Sequence, residues 1–529
     1  MNRRKLLLGV SVFALTWIVS ALDTPLKTVW PVIVALVLVV TTRRAFWGLL
    51  IGAFAGSLIL CNGNPWQAYL DIFVRHLAPS LHSAWKVGAI LFTLILGGFA
   101  AVLNEGSGFQ AMLHFFVRKG GNASKRLQTT AAGLGIICFF DGLANSMLVG
   151  RVCKDMAGEC GVSRVKLAYI VDSTSSAVAC VAFVSTWIAY QLTMIKEGYQ
   201  LAGRDVNPYL MFVKSIPFNF YCWFTLVMLF VSILRSFNLG AMQTFENEAL
   251  TLKSTSREEP KIVDRKGVGM YTVCIPLITL ILSFFLGFYL LGSPEPKWPI
   301  TAEKITTAFG SSAGPLVLVL SGLIASFVAI LLFPPHNDGR ILQGILAFKD
   351  GVQSLIGPIF ILVAAWIIGS VLGELKTAEY LSSLVSKTNA TVLIPSLIFV
   401  TGSLISFSTG TSWGTMGILF PLAIPIAATA CQATDSAWQD TYLQISVAAV
   451  FSGAVFGDHC SPFSDTTIVS SISCGVEPHD HIRTQIPFAL LTAVITILFG
   501  FLPAGLGLPP SLSLLMGALF LMFLPTALR

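Results

Sequence analysis

Phe456-Gly-Asp-His-Cys-Ser-Pro-Phe-Ser-Asp-Thr-Thr467 is a polar stretch in an oily chain. It carries two carboxylates, Asp458 and Asp465, a histidine, a proline, and the hydroxyls of Ser461, Ser464, Thr466 and Thr467. An apolar run, Leu443 to Val455, leads into it. Ionisable groups at membrane depth are costly to bury, so such a stretch points to a functional site.

The surroundings justify the word membrane. The chain has 529 residues, 55% hydrophobic and 11% charged, with mean hydropathy +0.78. A soluble protein carries about 25% charged residues, so the composition predicts an all-α polytopic membrane protein and excludes a soluble enzyme. Cys138, Cys180, Cys222 and Cys274 fall in apolar spans and read as small core residues rather than disulfide partners. There is neither a CxxC pair nor an HExxH motif. The segment after Met-Asn-Arg-Arg-Lys reads as a first transmembrane helix that is retained, because many more spans follow.

Apolar spans of membrane length fall near 6–22, 28–41, 45–61, 86–104, 210–235, 268–292, 311–333, 357–374, 484–504 and 510–527. Two more, 163–195 and 443–474, are interrupted by polar residues and read as broken helices. Segments 127–157 and 391–430 break in the middle, at Asp141-Gly-Leu-Ala-Asn-Ser146 and Ser406-Phe-Ser-Thr-Gly-Thr-Ser-Trp-Gly414. Both read as re-entrant hairpins, giving about twelve transmembrane helices plus two hairpins. With the N-terminus inside, most of the 33 Lys and Arg residues, including Arg43 and Arg44, lie in inner loops, as positive-inside asymmetry requires. Both termini are then cytoplasmic. The expected organisation is a first half over 1–236, a polar cytoplasmic linker over 237–267, a second half over 268–505 and a C-terminal helix over 506–529.

The halves repeat. Ala100-Ala-Val-Leu-Asn-Glu105 precedes the first hairpin as Gly369-Ser-Val-Leu-Gly-Glu374 precedes the second. Past each hairpin the breaks are read at Val171-Asp-Ser-Thr-Ser-Ser176 and Gly457-Asp-His-Cys-Ser-Pro462, pairing Asp172 with Asp458 and Ser175 with Ser461. An odd number of crossings separates the copies, so they are inverted. Inverted repeats with discontinuous helices point to a secondary transporter with its site near the bilayer midplane.

Breaks free backbone groups: carbonyls suit a hard cation such as sodium, and N–H groups at half-helix starts suit an anion. Candidate neutral ligands are Ser173, Thr174, Ser175, Ser461, Ser464, Thr466 and Thr467, with Asn145, Ser146, Thr409, Thr411 and Ser412 at the hairpin tips. The carboxylates Asp141, Asp172, Asp458 and Asp465 fall near the breaks. Several carboxylates in low dielectric do not all stay ionised, so sodium and protons compete for them. Asp172, Asp458 and Asp465 are the expected sodium site. The alternatives are that Asp141 and Asp172 only cap half-helices, and that His459 either carries a proton or holds Asp458. His479-Asp-His481 reads as surface, and Trp187 and Trp413 as packing residues.

These residues carry a resemblance. Phe139-Phe-Asp-Gly-Leu-Ala-Asn-Ser146, Lys166-Leu-Ala-Tyr-Ile-Val-Asp-Ser-Thr174, Gly410-Thr-Ser-Trp-Gly-Thr415, Phe456 to Thr467 and Asp480-His-Ile-Arg-Thr-Gln485 are similar to the NhaC-type sodium/proton antiporters of bacteria. The likeness covers roughly 86–490. It implies ion-site roles for Asn145, Asp172, Asp458, Ser461 and Asp465, paired hairpins with elevator-type movement, and a place in the cytoplasmic membrane. One departure stands out: many relatives have a second acid and a tyrosine where this chain has Gly142 and Leu143. Relatives also include exchangers of organic acids, such as malate for lactate.

The expectation is therefore a Na⁺/H⁺ antiporter without cofactor, its partners being sodium, protons and the lipid bilayer, with a homodimer expected from related folds. The alternative is a Na⁺- or H⁺-coupled carrier of a small organic acid or amino acid. An intramembrane aspartyl protease, suggested by Gly457-Asp458, is disfavoured because hydrolysis needs one dyad rather than two mirrored sites. A passive channel is disfavoured because broken hairpins occlude a pore.

Overall fold

The computed structural model describes residues 3–22, 24–42, 44–117, 122–255, 269–309, 311–334, 339–385 and 391–527. Every regular element among them is helical. Eight helices are long and apolar enough to cross a membrane, or eleven if each of three bent pairs counts as one span. The expected count of about twelve includes shorter apolar helices, such as Lys27–Thr42 and Pro510–Thr526. The protein is an integral membrane protein.

The elements that build the site begin with α1 (Ala84–Glu105), followed by an antiparallel pair, α2 (Ala123–Ile137) and α3 (Gly142–Cys160). Next comes a helix broken at residues 182–185, with halves α4 (Arg164–Val181) and α5 (Thr186–Leu201) bent by 47°. The connecting segment is not wholly loose, since it holds α6 (Ala241–Thr255). Glu246 of α6 accepts the Ser163 N–H at the start of α4 (2.8 Å), so the N-terminal end of the broken helix rests on this element. The second half supplies α7 (Ile356–Glu374), the pair α8 (Ile394–Thr409) and α9 (Ser412–Ala430), and a second broken helix. Its halves are α10 (Ser436–Cys460) and α11 (Asp465–Cys474), followed by α12 (Pro478–Ile495).

The local sequence sets these boundaries. Asp141 caps α3 by accepting from Ala144 N (2.6 Å), Ser185 caps α5 through Ile188 N (3.3 Å), and Thr411 caps α9 through Gly414 N (3.2 Å). Each cap satisfies an N–H that the first helical turn leaves open. Pro462 marks the second break. The first break, Ala182-Phe-Val-Ser185, contains no proline or glycine.

This differs from the sequence reading in one respect. Residues 171–176 are continuous α-helix, and the break lies beyond Val181. Thr174 donates to Ile170 O (3.0 Å) and Ser175 to Asp172 O (2.8 Å), so these hydroxyls fold back onto their own helix instead of opening it. By position relative to the breaks, Ser185 corresponds to Ser464. Asp172 therefore lies about two turns away from the place that matches Asp458.

Packing exchanges the halves. The arms of each hairpin lie on the first segment of their own broken helix, α2 and α3 on α4 and α8 and α9 on α10. The second arms also reach across, α3 packing on α11 and α9 on α5. Small residues permit this closeness, as they do generally between membrane helices. On α10, an added Cβ at Gly453 would lie 2.7 Å from Phe399 O and 3.0 Å from Gly402 Cα of α8. Gly453→Ala should therefore force the two backbones apart and destabilise by about 1–3 kcal/mol. Gly133→Ala, where the new methyl meets nothing within 4 Å, should leave melting in detergent unchanged or raise it. Equal melting temperatures for the two variants would contradict the packing described.

Candidate functional site

Four helix N-termini converge on one cavity. Its lining takes Asp141 and Leu143 from the start of α3 and Thr186 and Trp187 from α5. Thr411, Ser412 and Trp413 come from α9, with Ser464, Asp465 and Thr466 from α11. Asp458, in the last turn of α10, completes the polar side. Leu355, Pro358 and Ile361, at the start of α7, form an apolar wall. The cavity measures about 80 Å³, room for a few water-sized bodies.

Each tip is fixed to the break of its own repeat. Phe140 O accepts from Thr186 N (2.9 Å), and the Thr186 hydroxyl donates to Asp141 Oδ2 (2.8 Å). At the second tip Gly410 has φ +67°, and a Cβ there would lie 2.7 Å from the Phe463 backbone. Only glycine meets both conditions comfortably. Asp141 is thus both a cap and part of the cavity wall.

Asp458 is buried and bridged. Ser176 of α4 donates to its Oδ2 (2.8 Å), and Ser464 lies 3.3 Å from its Oδ1. Its carbonyl accepts from Thr466 (3.4 Å) and Thr467. Ser464 occupies the cap position of α11 yet makes no capping bond, because its hydroxyl faces Asp458 and Thr466 instead. Its counterpart Ser185 does cap. The first turn of α11 consequently keeps its N–H groups uncapped where it meets the cavity.

Asp172 stands apart. It does not line the cavity but lies fully buried in a second polar network. There Gln485 donates to its Oδ2 (2.6 Å), Ser470 reaches its Oδ1 (3.3 Å) and His481 Nε2 lies 3.4 Å away. Ser470 also touches Ser146 (3.1 Å), and Ser473 donates to Ser146 O (2.8 Å). Asn145 ties the first tip to α4, donating to Gly135 O (2.7 Å) and Thr174 O (3.0 Å), while its own oxygen is buried without a partner.

Of the three carboxylates expected to hold sodium, Asp458 and Asp465 line the cavity with Asp141, whereas Asp172 does not. Among the described residues no group of three His, Cys, Asp or Glu has metal-holding geometry. Ser173, Thr174, Ser175, Thr409 and Ser461 do not line the cavity either. His459 neither lines it nor holds Asp458; its Nδ1 pairs with Tyr221 (3.2 Å) and its Nε2 is buried without a partner.

Three other readings change. His481, read as surface, is wholly buried against Asp172. Trp187 and Trp413 form part of the cavity wall. Lys166, the first residue of one motif that carries the resemblance, is buried in α4 and donates to Asn238 (2.8 Å) and Ser232. Sequence reasoning missed Ser176, Thr186, Ser470 and Gln485. A Ser-Thr pair at 185–186 before an apolar run is a capping signal that would have found Thr186.

The charge pattern is unusual. Each helix N-terminus presents about half a positive charge and each C-terminus about half a negative one, so the ends of α8 at Gly410 and of α10 beside Asp458 offset part of what the four N-termini supply. Three carboxylates oppose them, and no Lys or Arg is among the lining residues. With the three carboxylates ionised the balance is negative, and cations or protons reduce it.

Comparison with known proteins bears on the family and the fold. A protein of Haemophilus influenzae described as uncharacterised is 32% identical over 501 residues, covering 91% of this chain and 92% of its own. The malate-2H⁺/Na⁺-lactate antiporter of Bacillus subtilis is 30% identical over 198 residues, or 36% of this chain and 38% of that one. The crystal structure of the Alcanivorax borkumensis YdaH transporter shares the fold, with TM-score 0.59 and 16% identity over 84% of this chain and 90% of that one. The model of the Na⁺/H⁺ antiporter family matches residues 178–503. The resemblance read from Phe456–Thr467 thus holds, and the chain belongs to the Na⁺/H⁺ antiporter family.

Proposed function

We propose that the protein exchanges sodium for protons by alternating access, with Asp458, Asp465 and Asp141 as the carboxylates over which the two ions compete. The observation that carries this reading is a cavity with three carboxylates and no basic residue, set against four helix N-termini. With the cavity negative, a sodium ion is held. Protonation of one carboxylate weakens the attraction, because the helix ends remain, and sodium leaves. One set of groups thus couples the two fluxes without a separate device. Ser412, Ser464 and Thr466 supply neutral oxygens, as a hard cation prefers.

An elevator-type movement is part of the proposal. The polar residues of the cavity all belong to the hairpins and broken helices, whereas the opposite wall is the apolar start of α7. A smooth apolar wall presents few bonds to break as a polar unit slides past it. The proposed setting is the bacterial cytoplasmic membrane.

A second reading has its own support. Leu143, in the place where many relatives carry a tyrosine, lines the cavity, and the uncapped start of α11 offers N–H groups to an anion. A relative is named for exchanging malate and lactate along with sodium and protons. With its aspartates protonated, the same cavity has the charge to accept a small carboxylate.

Purified protein in liposomes loaded with a pH dye should release protons when sodium is added on the opposite side. Asp458→Asn should abolish that response, and undiminished exchange in the variant would remove Asp458 from the mechanism. Ser176→Ala removes a hydrogen bond to a charged group, worth about 1.5–3 kcal/mol. It should therefore raise the half-saturating sodium concentration roughly ten-fold or more, and an unchanged value would sink the bridge. If sodium moves no protons but drives uptake of labelled malate or lactate, the second reading replaces the first.

A further inference from the structure

A second polar cavity, of about 310 Å³, lies between α5, α7, the start of α1 and the segment Ile72–Leu81. This segment belongs to a helix pair bent by 119° that folds back on itself. The cavity holds Glu197, 7% exposed, whose Oε2 is buried without a hydrogen-bond partner. Lys86 Nζ is 4.0 Å from that oxygen, too far for a hydrogen bond. It donates instead to Ser80 Oγ (3.1 Å) and lies 5.1 Å from the centre of the Trp366 ring. A buried carboxylate oxygen that faces a polar cavity, at ion-pair distance from a cation but without a hydrogen bond, is a place for a proton and its water.

The fold guards this position. Gly369 of α7 faces Glu197, and an added Cβ would lie 1.9 Å from its Oε1. The other charged and titratable groups facing Glu197 are few. Lys196 comes from α5 itself and His76 from Ile72–Leu81, where His76 Nδ1 is paired with Ser370 (2.9 Å). Tyr190, about two α5 turns from Glu197 toward the central cavity, bonds Trp413 O.

The two cavities share their frame. On α5, Trp187 lines the central cavity and Glu197 the second; on α7, Ile361 lines the first and Ser370 the second. Ten residues of α-helix rise about 15 Å. Tyr190 and Trp366 lie along that interval, and the buried Trp366 Nε1 also lacks a partner.

We propose that Glu197 is a proton relay between bulk water and the carboxylates of the central cavity. A hydronium ion entering the second cavity leaves its proton on the Glu197 carboxylate and departs as water. The proton then passes through water to Asp141 or Asp458 as sodium leaves, and Glu197 returns to the ionised form beside Lys86. This rests on the sodium/proton reading above.

The test separates proton-coupled flux from flux that needs no proton. In proteoliposomes, Glu197→Gln should lower sodium efflux driven by a pH gradient at least ten-fold, while exchange of labelled for unlabelled sodium stays within two-fold of the parent protein. Glu197→Asp should restore part of the driven flux, and Gly369→Ala, which crowds Glu197 Oε1, should lower the driven flux while sparing the sodium exchange. Equal loss of both modes in protein that elutes and melts normally would make Glu197 structural and overturn the relay. No change in either mode would overturn it too. If the parent protein moves no sodium at all, the sodium reading itself fails. The variants are then compared in proton-coupled malate or lactate uptake, where undiminished flux in Glu197→Gln defeats the relay and a ten-fold loss supports it.

Discussion

Peptide groups released at a helix break have no partner in lipid, and that constraint organises this protein. Two hairpin tips and two breaks each end a helix inside the membrane domain, so their open N–H groups must meet caps, carboxylates or water. The fold answers by bringing all four N-termini to one place and setting Asp141, Asp458 and Asp465 against them. The helix ends stabilise the buried carboxylates, and the carboxylates offset the helix ends. Neither set would be tolerable alone.

Polarity decided what could be read without coordinates. Asp458, Ser464 and Asp465 stand out because a dozen residues of hydrophilic chain interrupt an apolar run, and Pro462 marks the break itself. The hairpin tips were legible for the same reason. The first break was not, because Ala182-Phe-Val-Ser185 is almost wholly apolar, while the polar run Asp172–Ser176 that resembled a break is helical. Serine and threonine hydroxyls within a helix bond back to the preceding turn, so composition alone does not distinguish an opened helix from a decorated one. Ser176, Gln485 and His481 were hidden for a different reason. Each matters through a partner hundreds of residues away, and no local pattern announces a contact of that kind.

Asp172 illustrates the difference between a buried charge and an accessible one. With Gln485, Ser470 and His481 around it, it joins α4, α11 and α12 in a polar knot beside the cavity. Such a knot, satisfied by several donors, holds helices in register. Asp141 and Asp458 are hydrogen-bonded to a similar degree, but they line the cavity and Asp172 does not.

The exchanged packing of the two halves also governs how the chain is made. Ser146 of the first hairpin waits for Ser470 and Ser473, which are synthesised more than three hundred residues later. Until α11 emerges, α3 lacks the surface on which it packs, and the polar tip between its arms has no final partner. Contacts of such sequence separation form late and slowly, so the first hairpin is inserted as an unfinished element. A ribosome that stops before residue 465 leaves an incomplete pair of tips, with the hydroxyl and carbonyl oxygen of Ser146 lacking their α11 partners. Quality control of this protein therefore has a built-in signal, the unmatched polarity of its own first half.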